Sequence, residues 1–496
     1  MLYVRMLFGM LVSLYTSRLV LQALGVEDFG IYNVVGGVVA MFSLISGALS
    51  HAAGRFLTFE LGRGNMNGLK RYFSTSLLIH IALAFIILIV SETVGIWFLN
   101  NRMVIPHDRL FAANWVFHAS VFSFMINLFS VPYNASIISH ERMNVFACIG
   151  IIDVILRLSV VLFIAYFPFL YDRLIVYAVL LVFVSCSIQT IYVLYCRKHF
   201  EECHLNLVFD IACWKRMWAF TGWNFIGGTA LVLKDQGVNV LLNLFFGPIV
   251  NTARGLSSTV STAVCSFSGN FMTALNPQIT KSYAAGDNGY MFMLIERGTR
   301  FSFYILLVFA LPVLFETDFV LSLWLHDYPK YTVIFVRLVL IQVMIDILSN
   351  TIVTAQAATG KIKNYQIAVG GMLLMNFPLS YLCLKLGGKP ECTMYVAIFV
   401  SICCLLLRLI ILRKNIQLSI IWFFRRICCN VIVVTMFSVI VPCVFYFTMC
   451  KGWLRFLVIT ALCLVSSMMS AFFIGCSRSE RQFIGKRLVS VKSRLF

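Results

Sequence analysis

Apolar residues along this chain gather into long runs, and glycine, proline, asparagine or clustered charge separates one run from the next. A helix that crosses the hydrocarbon layer needs roughly 20 such residues at about 1.5 Å of rise each. On that measure the pattern predicts fourteen spanning helices, over 2–24, 31–53, 72–99, 111–139, 145–167, 174–196, 217–246, 255–280, 300–325, 332–358, 366–386, 394–412, 427–449 and 455–475. The expected fold class is therefore an all-α integral membrane protein.

The runs also repeat. Met125-Ile126-Asn127-Leu128-Phe129-Ser130 returns as Met344-Ile345-Asp346-Ile347-Leu348-Ser349, 219 residues later and again inside a helix followed by a short basic loop. At an offset of 222, Gly25 answers to Gly247 and Gly64-Asn65 to Gly286-Asp287. Two pseudo-symmetric six-helix lobes in parallel orientation follow: an N-lobe (1–196), a cytoplasmic linker (197–216) and a C-lobe (217–412). Helices thirteen and fourteen (413–475) and a basic cytoplasmic tail (476–496) complete the chain. Parallel repeats place a substrate site between lobes and permit alternating access by rocking. A duplicated bundle with no cavity is the plainer alternative.

Composition supports lipid as the solvent: 60% of residues are apolar, 12% are charged, and mean hydropathy is +0.91. The net charge of +19 would suggest nucleic acid in a soluble protein. Here it sorts by side, since an inside N-terminus puts 24 Lys and Arg on the cytoplasmic face and 8, Arg254 among them, on the other. Both termini are then cytoplasmic, and no nucleic-acid partner is implied. No outward loop exceeds roughly a dozen residues, which leaves no room for an extracytoplasmic catalytic domain. The 16 cysteines lie mostly in apolar stretches without a CxxC spacing and read as small apolar residues. The N-terminal run, with Arg5 and Arg18 inside it, reads as a first spanning helix and not as a cleaved signal; its short lead-in leaves an upstream start open.

A cation at the bilayer centre costs roughly 2.5 to 3.5 kcal/mol even on lenient scales, so each needs a partner or a wet cavity. Arg18 lies in the first helix, Asp153 and Arg157 in the fifth, Lys234-Asp235 in the seventh, Arg337 and Asp346 in the tenth and Arg408 in the twelfth. Asp153 and Arg157 stand at i,i+4 and can neutralise each other, a local pair that lowers insertion cost. Arg18, with Arg55 at the cytoplasmic end of helix two, can offer positive charge to an anionic ligand; snorkelling of Arg18 to the headgroups competes with that role. Helix seven is the most polar: Asn224, Gly228, Asp235, Asn239 and Asn243 recur at helical spacings, and Trp223 and Lys234 flank them. Water or substrate against that side competes with polar packing between helices. The His199–His204 loop lacks a zinc spacing, and Gly360-Lys361 lacks the rest of a phosphate-binding loop, so neither a metal nor a nucleotide cofactor is expected. The basic, partly apolar tail from Arg478 onward suits the inner leaflet.

Thr16-Ser17-Arg18, the run Leu24-Gly25-Val26-Glu27-Asp28-Phe29-Gly30-Ile31-Tyr32, Arg55-Phe56-Leu57-Thr58 and Asn276-Pro277-Gln278-Ile279-Thr280-Lys281 resemble the bacterial polysaccharide (O-antigen) flippases of the Wzx type. Asn243 through Gly255 adds to the match. The plan is similar to the wider multidrug/oligosaccharidyl-lipid/polysaccharide exporter superfamily, which includes lipid II flippases and multidrug and toxin extruders. The resemblance implies a polyprenyl-diphosphate-linked oligosaccharide moved from the cytoplasmic to the outer face of the inner membrane for surface polysaccharide, such as lipopolysaccharide. It also implies membrane lipids as surroundings, and a polysaccharide polymerase and glycosyltransferases as partners.

In that setting Arg18, Arg55 and Lys234 would hold the diphosphate, and Trp223, Asn224, Asn239 and Asn243 would meet the glycan. Asp235 or Asp346 would sense a coupling cation, Na+ or H+. By analogy, helices thirteen and fourteen would shape a groove for the polyprenyl tail. The rivals are a cation-coupled drug extruder of the same superfamily, with an acidic cavity, and a non-transporting scaffold for glycan-assembly enzymes. An enzyme would need a clustered acid–base pair at an outer loop, and none is found.

Overall fold

The computed structural model describes residues 5–9, 12, 15, 16, 19, 20, 22–24, 28, 31, 32, 42–101, 106–167, 172–204, 210–246, 248–325 and 328–482. These residues are helical throughout, with turns between, and no strand occurs among them. Ten helical segments among them are long and apolar enough to cross a bilayer: Met66–Asn101, His107–Ser139, Met143–Tyr166, Arg173–His199, Asn288–Phe315, Thr332–Thr359, Lys363–Lys385, Cys392–Ile416, Ile420–Thr448 and Trp453–Gly475. In the order of the expected spans these are helices three to six and nine to fourteen. Helix two (Ser43–Arg63, 21 residues), helix seven (Ile211–Phe246) and helix eight (Pro248–Ala284) are also long but more polar. Of helix one, residues 5–9 and several short stretches up to residue 24 are described as helix.

Several ends differ from the expected ones, and capping explains them. Helix two runs on to Arg63 and stops at Gly64, whose φ of 69° is left-handed. Helix nine starts at Asn288 because the Asp287 side chain accepts a bond from the Tyr290 N–H. It ends at Phe315, one turn past Pro312, and a short helix, Thr317–Leu325, completes the expected span. Helix eight begins at Pro248, a favoured first helical residue. The earlier start draws Arg254, expected on an outward loop, into the helix.

The repeat reappears as matched turns. Gly64 and Gly286 both have positive φ, 69° and 78°. Asn65 and Asp287 then cap the following helix in the same way, each accepting from the N–H three residues on. Helices six and twelve begin at Arg173 and Cys392, 219 residues apart, as the first sequence match requires.

Two compact units result, Met1–Gly228 with Thr280–Gly286, and Thr229–Ile279 with Asp287–Phe496. In the first, Arg109 forms ion pairs with Asp28 and Asp172, so one guanidinium joins three segments distant in sequence. Asp28 belongs to the Leu24–Tyr32 run on which the family resemblance leans most. At the far ends of these helices Thr58 and Ser139 share a buried hydrogen bond of 2.7 Å, and Lys281 Nζ lies 2.7 Å from Glu141 Oε1. Gly62 packs so closely there that a Cβ would lie 2.7 Å from the Lys281 backbone.

In the second unit, Val238, Leu242, Val250, Ala253, Phe335, Leu338 and Met394 form a core shared by helices seven, eight, ten and twelve. Helix fourteen is fastened to helix nine at both ends. Buried Arg455 pairs with buried Glu316 at 2.7 Å, and Glu480, just past helix fourteen, takes Arg297 and Arg300 at 2.9 Å each. Burying such charges is tolerable only because each is paired.

Candidate functional site

Helix seven starts at Asp210, whose carboxylate accepts from the N–H groups of Ala212 (2.8 Å) and Cys213 (3.2 Å). The Cys213 bond, then the Ala212 bond, with Arg71 behind them, hold the Asp210 carboxyl below its ordinary range. From that fixed start helix seven runs 36 residues without interruption. Its polar positions therefore fall at defined angles around one axis.

Lys234 and Asp235 are neighbours in sequence and opposites in placement. Lys234 is 6% exposed, turned into the second unit, whereas the Asp235 side chain is 57% exposed. Asp235 Oδ1 lies 3.8 Å from Lys234 Nζ and 3.7 Å from Arg254 Nη2. Arg254 also directs Nη1 at the Met394 sulfur, 3.1 Å away. One carboxylate thus faces two cations, from helices seven and eight.

Deeper in the same unit, Lys234, Asp346 and Arg408 all lie near enough to the buried Cys404 thiol to act on it electrostatically. They come from helices seven, ten and twelve. Asp346 closes the α-helical part of helix ten, where the chain tightens into a 3-10 turn at Ile347–Ser349, and takes a long 3.5 Å bond from Gln342 Nε2. Arg408 lies close enough to the Tyr365 hydroxyl from helix eleven to act on it electrostatically. Three cations, Lys234, Arg254 and Arg408, stand here with two acids, Asp235 and Asp346. In low dielectric such a set attracts an anion more strongly than a second cation.

The remaining sequence candidates are distributed as follows. Arg55 belongs to the first unit, its guanidinium packed on Phe56, Phe59 and Phe220 at 4.5, 4.8 and 5.5 Å from the ring centroids. Trp223 and Asn224 are half-buried in the same unit. Asn239 is half-buried in the second and donates to Gln236 Oε1 at 3.3 Å, one turn earlier on its own helix. Asn243 is on helix seven, its side chain outside the described residues, and Arg18 lies outside them altogether. Asp153 and Arg157 form the expected local pair, 2.9 Å apart. Arg254, Tyr365 and Cys404 are the site residues that sequence reasoning missed. Nothing in the local sequence marks Cys404 or joins Arg254 to Asp235.

No family model and no curated protein matches the sequence. Solved structures do match its fold. An outward-facing multidrug-resistance transporter of the MATE family, in the MOP superfamily, is 12% identical over 84% of this chain and 94% of its own, with a TM-score of 0.71. The MATE transporter ClbM, in complex with Rb+, is 14% identical over 86% and 95%, with a TM-score of 0.70. A MOP superfamily transporter from Pyrococcus furiosus is 12% identical over 84% and 94%, with a TM-score of 0.67; a reversed polarity of its binding pocket is described as suggesting a different function. At such identities the likeness is one of fold: a two-lobed, all-helical membrane protein of the MATE type.

Proposed function

We propose that this chain is a flippase that carries a polyprenyl-diphosphate-linked oligosaccharide from the cytoplasmic to the outer face of the bacterial inner membrane by alternating access, with both termini cytoplasmic. The observation that carries the reading is the charge inside the second unit. Lys234, Arg254 and Arg408 outnumber Asp235 and Asp346 among helices built for lipid, and a diphosphate supplies the missing negative charge. In the first unit the proposal assigns Arg55 to phosphate, with Arg18 beside it in sequence order, and Trp223 and Asn224 to sugar. In the second it assigns Lys234 to phosphate and Asn239 and Asn243 to sugar. The polyprenyl chain stays in lipid, where helices thirteen and fourteen offer additional apolar surface. A polymerase and glycosyltransferases are the expected neighbours in the pathway.

The test is made in cells whose surface glycan depends on this protein. Lys234→Ala is expected to lower surface glycan at least tenfold, with lipid-linked precursor accumulating on the inner face, and Lys234→Arg to retain most of the function. Normal surface glycan in Lys234→Ala and Arg55→Ala cells would overturn the charge assignment.

A cation-coupled drug extruder is the second reading, favoured by the fold it shares with the MATE transporters. In that reading Asp235 and Asp346 hold the cation, and Asp235→Asn abolishes efflux of cationic dyes. In the flippase reading the cells show no dye efflux to lose.

A further inference from the structure

The first unit has a cavity of its own, about 470 Å³ in volume, among helices one, four, five and six. Arg5, Asn127, Asn134, Asp153, Arg157 and Tyr192 supply its polar lining. Asp153 already faces Arg157 at 2.9 Å. Arg5 has no carboxylate within 4 Å among the described residues; its guanidinium rests 4.3 Å from the centroid of Phe146. The aliphatic stem of Arg5 crosses Gly150, where a Cβ would come within 2.6 Å of Arg5 Cδ. A methyl group at that point would push the guanidinium end of the arginine aside. Asn134 adds a buried amide oxygen without a partner, and turning that amide over presents an N–H to the same space.

The repeat sharpens the contrast with the second unit. Asn127 and Ser185, both on the cavity wall, answer to Asp346 and Cys404 through the offset of 219. Each unit therefore places polar side chains at these equivalent positions. Where the second unit has the acid Asp346, the first has a neutral amide, and in this cavity two arginines face one carboxylate.

We propose that this cavity binds one small inorganic monoanion, of the halide class, held by Arg5 and Arg157. One negative charge closes the local balance, and the volume admits the ion with several waters, each occupying about 30 Å³. The inference is independent of the flippase reading, since no residue lining this cavity is assigned to the oligosaccharide.

The test uses the full chain, purified in detergent without added lipid. Thermal unfolding is followed in sodium chloride, choline chloride and sodium gluconate at equal ionic strength, and radiolabelled chloride is measured at equilibrium. A ligand that binds only the folded state raises Tm saturably with concentration. Both chloride salts are expected to stabilise over gluconate, with one chloride bound per chain. Arg5→Gln and Gly150→Ala should each weaken half-saturation at least tenfold, and Arg5→Lys should retain the response. Stabilisation that follows sodium and ignores the anion overturns the proposal, as does an undiminished chloride response in Arg5→Gln. A response that appears only when phosphatidylglycerol is added assigns the pocket to a lipid phosphate and overturns it too. Should Arg5→Gln fail to fold, absence of saturable chloride binding to the wild-type chain decides against it.

Discussion

Lys234 and Asp235 carry opposite charges on adjacent residues and have opposite environments. Adjacent positions lie about 100° apart around a helix, so one can enter the lobe while the other faces away. The sequence made both visible, because charge inside an apolar run stands out. Their surroundings were not visible: Arg254 approaches Asp235 from helix eight, and Asp346 and Arg408 stand with Lys234 near Cys404, arrangements that only folding decides. Gly62 is legible in the same limited sense. It reads as a helical glycine, but its need to be glycine comes from the Lys281 backbone, 219 residues away. Gly62→Ala should cost about 1 to 3 kcal/mol through overpacking, measured as a lowered midpoint of thermal unfolding, whereas Gly54→Ala, inside the same helix with open space around it, should leave the midpoint unchanged or raise it.

At the scale of the helix, the approximate positions of helices three to fourteen were readable because hydrocarbon thickness fixes the length of an apolar run. Ends were less so, since they depend on caps such as Asp287 and on left-handed glycines such as Gly64. The polarity of helices two, seven and eight was legible in part. Helix seven stood out, while the extensions of helices two and eight beyond their apolar runs did not.

The fastening of helix fourteen could not have been read, because Arg455 and Glu316 are 139 residues apart. Glu316→Gln should destabilise the fold by about 3 to 5 kcal/mol, the cost of stranding a buried charge. The double substitution Glu316→Leu with Arg455→Met should recover most of it, and thermal unfolding of both variants checks the difference. Asp210 gives a pH signature. Its folded-state pKa lies below the unfolded value, so its contribution is complete at neutral pH and is lost as pH falls through the acid carboxylate range. Asp210→Asn should therefore be less stable near pH 7 and lose its deficit between about pH 5 and about pH 3, followed as the unfolding midpoint against pH.

At the scale of the whole chain, the repeat was the strongest sequence signal, and it predicted more than topology. It aligned Gly64-Asn65 with Gly286-Asp287, which prove to make the same turn, and it aligned Asn127, on the wall of the first unit's cavity, with Asp346, beside Cys404 in the second. The sign of the charge around Lys234 separates the readings of function, because a fold by itself does not fix the cargo.

The most direct measurement is translocation in proteoliposomes containing the purified chain, with a fluorescent polyprenyl-diphosphate oligosaccharide or a cationic dye as cargo. A flippase of this kind should move the diphosphate lipid, lose at least tenfold with Lys234→Ala, recover with Lys234→Arg, and leave the dye in place. Dye transport that needs Asp235 and is indifferent to Lys234, with the diphosphate lipid left in place, would contradict it.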